Sequence, residues 1–113
     1  MRIVDRQTFL SLRNPTVYIK IPERWIMDGE FCIKTGTLTN DWFYQSFNTP
    51  ISDDPSNGLS KCNEMIDQGA SYPIDEDDTY RDGCFDDSEM FLVYERDDVN
   101  FLIEKLKEAN GTH

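Results

Sequence analysis

A chain of 113 residues, 38% hydrophobic and 12% aromatic, has the length of one domain with one ordinary core and lies outside the composition of disordered chains. Its formal charge of −11, from 22 acids against 11 bases, argues against direct nucleic-acid binding through a basic face and for a basic partner. The longest apolar run, Met90 to Tyr94, is far short of the roughly 20 residues of a membrane span, and "MRIVDRQTFL" lacks an export signal, so the expectation is a cytoplasmic protein with no membrane contact.

In chain order, Asp5 is placed to cap a short helix over "RQTFLSL", which Asn14-Pro15 ends because the residue before a proline avoids the helical region. The period then changes to two. In "TVYIKI", Val17, Ile19 and Ile21 alternate with Tyr18 and Lys20, as in a half-buried strand, and Pro22 is expected to confine that strand to an edge or a bulge. Asp28-Gly29 in "RWIMDGEFCIK" predicts a tight hairpin, because both turn positions favour residues tolerant of positive φ. With "DWFYQSF", residues 17 to 48 read as an antiparallel meander in which Trp25 and Trp42 pack into the core.

The prolines, glycine and small polar residues of "NTPISDDPSNG" predict a loop. Leu59, Cys62, Met65 and Ile66 recur at helical spacing until Gly69, a left-handed stop. "MFLVY" fits a strand covered on both faces, although its period does not separate it from a buried helix. In the last helix, capped by Asp97 or Asp98, Val99, Leu102, Ile103 and Leu106 share a face, with Lys105 and Lys107 near its end. The expected fold is therefore a single α+β domain over residues 1–113, an antiparallel sheet with two or three helices packed mainly on one face.

Few catalytic chemistries are open to these residues. The one histidine is the terminal His113, and Cys32, Cys62 and Cys84 lie in apolar patterns or beside acids, which raise a thiol's pKa. Their odd number and wide spacing form neither a disulfide framework nor a zinc site, and agree with a reducing compartment. No phosphate-cradling glycine loop is present. A non-catalytic protein without a cofactor is the expectation.

The unusual segment is acidic. Residues 75 to 98 hold eleven acids against Arg81 and Arg96, a net of −9, leaving −2 for the rest of the chain. Against the calcium-binding EF-hand loop, Asp78 falls at position 1, Asp82 at 5, Gly83 at 6, Phe85 at 8, Asp86 at 9 and Glu89 at 12, but position 3 is the neutral Tyr80 and Pro73 breaks the incoming helix. An irregular calcium site on Asp78, Asp82, Asp86 and Glu89 is thus one reading. A solvated loop turning at Asp82-Gly83 is another. The third is a recognition surface with Asp75, Asp77, Asp78, Asp86 and Asp87 as charge and Tyr80 and Phe85 as apolar anchors, since aromatics ringed by carboxylates suit a basic partner.

"NDWFYQSF" at 40–47, "RDGCFDDSEMFLVYER" at 81–96 and the opening "MRIVDRQTFLSL" resemble a group of small accessory proteins encoded by tailed phages and prophages of Gram-negative bacteria. The resemblance carries over no catalytic residue. It implies a protein acting in the cytoplasm of the bacterial host, where small acidic phage proteins often occupy a host protein, some by imitating DNA. The expected function is binding of a basic or nucleic-acid-binding host protein, as an inhibitor of a nucleic-acid-handling or defence system; a toxin-neutralising immunity protein would use the same acidic logic on a different partner.

Overall fold

The computed structural model describes residues 1–22, 29–48, 55–74 and 79–111, and of residues 55–59 the backbone alone. In chain order the elements are β1 (Arg2–Asp5), α1 (Arg6–Ser11), β2 (Thr16–Ile21), β3 (Phe31–Thr37), β4 (Trp42–Ser46), α2 (Pro55–Gln68), β5 (Tyr80–Arg81), β6 (Met90–Val93) and α3 (Arg96–Ala109). The strands form one antiparallel sheet in the order β1-β6-β2-β3-β4-β5, so the fold is α+β, as the alternating strand and helix patterns imply.

Chain order and sheet order part company at β6. This strand enters between β1 and β2, pairing Leu92 with both Ile3 and Ile19. Interior placement accounts for its apolar residues on consecutive positions, because both of its faces meet protein. Strand β2 also lies inside the sheet, which corrects the expectation of an edge. Pro22 stands one residue beyond the strand, so its missing N–H costs the ladder nothing.

The buried face of β2 is corrected too. Thr16 and Tyr18 are buried while Val17 and Ile19 are half-buried; Ile21 is buried as expected, but the main core cluster lies on the tyrosine side of the alternation. There Val4, Phe9, Tyr18, Cys32, Trp42, Phe91 and Val93 form one cluster. Phe9 reaches it from α1 and stacks on Phe91 with ring centroids 4.1 Å apart, edge-on to Tyr18 at 4.7 Å and Trp42 at 5.0 Å. The Trp42 indole N–H donates to the Tyr18 hydroxyl at 3.0 Å, which satisfies both buried polar atoms.

Helix α1 is short because its ends are fixed. Asp5 accepts from the Thr8 N–H at 2.8 Å, and Leu12 returns the chain to extended backbone. The buried Lys34 of β3 donates to the carbonyls of Phe9 at 2.9 Å and Leu12 at 2.7 Å, adding to the Leu12 N–H that the Phe9 carbonyl already accepts and placing a cation at the helix's C-terminal end.

Several boundaries differ from the sequence reading. Helix α2 begins at Pro55, where a proline's fixed φ and absent N–H suit a first turn, so part of the expected loop is helical. Helix α3 is capped at Glu95, and Asp98 instead accepts the Glu95 N–H at 2.9 Å. Its apolar stripe is covered only at the start: Val99 and Leu102 are half-buried, whereas Ile103 and Leu106 are exposed. Strands β1 and β5 were not foreseen, being short and rich in charge. Trp25 and Asp28 lie outside the described residues, as does the tight turn expected there; β2 and β3 are nonetheless antiparallel neighbours, and Gly29 has positive φ.

Phe9→Ala removes the ring at the centre of the core and is expected to cost about 3–5 kcal/mol, while truncation of the exposed Ile66 should stay within about 0.5 kcal/mol. Urea denaturation of both variants checks this, and equal losses would contradict the packing described.

Candidate functional site

The acidic stretch does not stand off the sheet as a free loop. It first pairs with β4 as strand β5, matching Tyr80 with Tyr44 and Arg81 with Phe43, and the Asp82 N–H donates to the Trp42 carbonyl at 3.0 Å. Gly83 then turns the chain at a φ of 67°, a left-handed conformation that side chains rarely adopt. This is the turn that Asp82-Gly83 implies in sequence.

Three side chains, buried Asp41 and Arg6 and half-buried Lys20, hold the segment down. Asp41, at the start of β4, accepts from the Arg81 guanidinium and from the Gly83 N–H at 3.1 Å. Lys20, from the core face of β2, lies 2.6 Å from one oxygen of Asp82 and 3.6 Å from Glu89, with its ammonium 5.8 Å from the Trp42 ring centre. Arg6, on the first turn of α1, donates to the carbonyls of Cys84 at 3.0 Å and Asn40 at 2.6 Å, its guanidinium 4.9 Å above Trp42. A buried cation without such partners would be costly, and each is placed where the loop brings acceptors to it.

These contacts sort the acids into two groups. Asp41, Asp82 and Glu89 are buried, Asp82 also accepting from the Cys84 N–H at 3.1 Å and Glu89 from the Cys84 thiol at 3.3 Å. Between them the tip faces solvent, with Phe85 55% exposed and the Asp87 side chain 82% exposed. Asp86 accepts from the Ser88 N–H at 2.9 Å and hydroxyl at 2.6 Å, which fixes the tip's own turn. Phe85 and Asp87 lean on the loop's anchor, at 5.9 Å and 3.8 Å from Arg6.

Titration follows the same geometry. Burial alone would raise the Asp41 carboxyl, but the Arg81 guanidinium and the N–H groups of Trp42 and Gly83 outweigh it and hold the pKa below its ordinary value. For Lys20 burial pulls downward, and the hydrogen bond and charge of Asp82, with Glu89, hold it above the ordinary lysine value. The Cys84 thiol is pushed up, chiefly by its bond to Glu89, which makes it a poor nucleophile. Beside Lys20, a polar cavity of about 30 Å³ lined by Tyr18, Glu30, Tyr44 and Asp82 has room for one water and not for an organic substrate.

Of the residues singled out in sequence, Phe85, Asp86 and Asp87 come together at the tip. Tyr80 is half-buried in β5, its ring 6.0 Å from Tyr44. Asp75, Asp77 and Asp78 lie outside the described residues, and so does His113. For the calcium set, Asp82 and Glu89 share the Lys20 ammonium and Asp86 is turned onto Ser88; among the described residues no group of three potential ligands gathers. Sequence reasoning missed Arg6, Lys20 and Asp41. A signal was present for Lys20, which shares the parity of Tyr18 along β2 and so points to the same face.

Asp41→Asn is expected to destabilise the protein by about 1.5–3 kcal/mol at neutral pH, the range for hydrogen bonds to a charged group. A carboxyl with a lowered folded-state pKa contributes fully above its ordinary value of 3.8 and loses that contribution as pH falls below it. Urea denaturation across the acid range should therefore show the gap between native and variant closing, and a constant gap would contradict the assignment.

No protein-family model matches the chain, and no curated protein or solved structure does.

Proposed function

We propose that the chain is a non-catalytic accessory protein that binds a basic, nucleic-acid-handling partner through the acidic tip of the loop, in the cytoplasm of a bacterial host. One observation carries this reading: half-buried Lys20 and buried Arg6 and Asp41 clamp both ends of residues 81–89 while Phe85, Asp86 and Asp87 are left facing solvent. A clamped loop loses little conformational entropy on binding, so its exposed groups act as a preorganised surface. Phe85 supplies the apolar anchor, and the surrounding carboxylates supply steering and selectivity for cations. The reading also assigns Tyr80 and the carboxylates of Asp75, Asp77 and Asp78 to partner contact, on the strength of the sequence.

Among the described residues no helix is long and apolar enough to cross a membrane. Occupying a nucleic-acid-binding face would make the protein an inhibitor of a host nucleic-acid-handling or defence system. The test is affinity capture from bacterial lysate at low salt, with the native chain and a variant carrying asparagine at Asp75, Asp77, Asp78, Asp86 and Asp87 as baits. A basic protein held by the native bait and lost from the variant is the expected result; equal retention by both would overturn the reading.

A further inference from the structure

At the other end of β6 lies a groove of opposite character. Its volume is about 450 Å³, within the usual range for ligand sites, and it opens between the chain after α1, the ends of β2 and β3, and the first turn of α3. Val93 and Arg96 line it, whereas the acidic loop joins β6 at Glu89; four residues of strand put about 13 Å between the two.

Three arginines, Arg2, Arg13 and Arg96, line this groove. Elsewhere in the described chain the cationic side chains are engaged. Arg6, Lys20, Lys34, Arg81, Lys105 and Lys107 bond to carboxylates or carbonyls, and Lys61 lies over the Tyr72 ring. Among the described residues Arg2, Arg13 and Arg96 have neither a hydrogen bond or ion pair from their side chains nor, unlike Lys61, an aromatic ring beneath them. In a chain with twice as many acids as bases, three guanidinium groups that bond to no carboxylate, gathered around one groove, depart from the engagement of the other described cations.

We infer that this groove binds an acidic peptide segment of a partner protein, with carboxylates taken by Arg2, Arg13 and Arg96 and the apolar side chains between them resting on Val17, Ile33 and Val99. The guanidinium fork matches a carboxylate in two parallel hydrogen bonds, and the aliphatic wall rewards residues that a bare anion lacks. A nucleic-acid backbone is the poorer occupant. It brings a charge at every nucleotide and no aliphatic side chain to rest on Val17, Ile33 and Val99, whereas a peptide can space its carboxylates to the three arginines and keep other charge away from Glu95 in the groove wall. The site thus differs from the acidic tip in place, in charge and in the partner it selects.

The experiment is fluorescence anisotropy at low salt with labelled decapeptides that alternate glutamate with leucine, valine or phenylalanine. Matched peptides carrying glutamine for glutamate and an oligothymidylate serve as further probes. At least one glutamate peptide is expected to bind the native chain and to weaken by about tenfold or more in the Arg13→Gln/Arg96→Gln double variant. The glutamine peptides should not bind. Lys105→Gln/Lys107→Gln changes the net charge equally outside the groove and should leave affinity unaltered. The inference is overturned if no glutamate peptide binds, if both double variants weaken binding alike, or if oligothymidylate binds more tightly and is the probe lost with the arginines.

Discussion

The ammonium of Lys20, held between Asp82 and Glu89 above the ring of Trp42, is what allows an acidic loop to fold onto an aromatic core. Without a cation at that point, two carboxylates would be buried against each other with nothing to offset their desolvation, and the loop would be driven off the sheet. Arg6 and Asp41 extend the arrangement on either side. Arg6 supplies donors to the carbonyls of Cys84 and Asn40, and Asp41 an acceptor for Arg81 and Gly83, so the clamp engages the backbone of the turn as well as its side chains. Trp42, over which Lys20 and Arg6 lie, belongs to the aromatic cluster centred on Phe9, which stacks on Phe91.

This arrangement changes what the acidity means. A stretch with a net charge of −9 reads as a uniform negative surface, yet part of that charge is cancelled internally. What the solvent meets at the tip is an exposed aromatic ring flanked by Asp86 and Asp87, carried on a turn with defined geometry. Polarity also runs along the sheet. Negative charge collects where β6 begins, and unpaired arginines collect where it ends. The two proposed sites, for cations at one end and carboxylates at the other, would each act within about a Debye length of its own end.

The α+β class was legible because its signals are local: the period of two in β2, the consecutive apolar residues of β6, and the stops at Gly69 and Gly111. Placement of β6 between β1 and β2 was not, since partner choice among distant strands depends on which faces are buried and no local pattern records it. The same limit moved the main core to the Tyr18 side of β2, although Ile21 on the other side is buried too. Tyr18 is amphipathic and counts as polar in an alternation, but its ring is core and its hydroxyl is satisfied by Trp42. For the site, sequence marked Phe85, Asp86, Asp87 and the Gly83 turn, and it could not separate buried from exposed carboxylates. That separation depends on Arg6 and Lys20, which are more than sixty residues away along the chain.

Hydrogen exchange at the amides of Gly83 and Cys84 tests this account most directly, because those N–H groups donate to Asp41 and Asp82 only while the loop is clamped. Both should exchange far more slowly than in an unstructured peptide, and Lys20→Met should release the Cys84 amide while the amides within β2 and β3 keep their protection. Exchange of Gly83 and Cys84 at the unstructured rate in the native chain would contradict it.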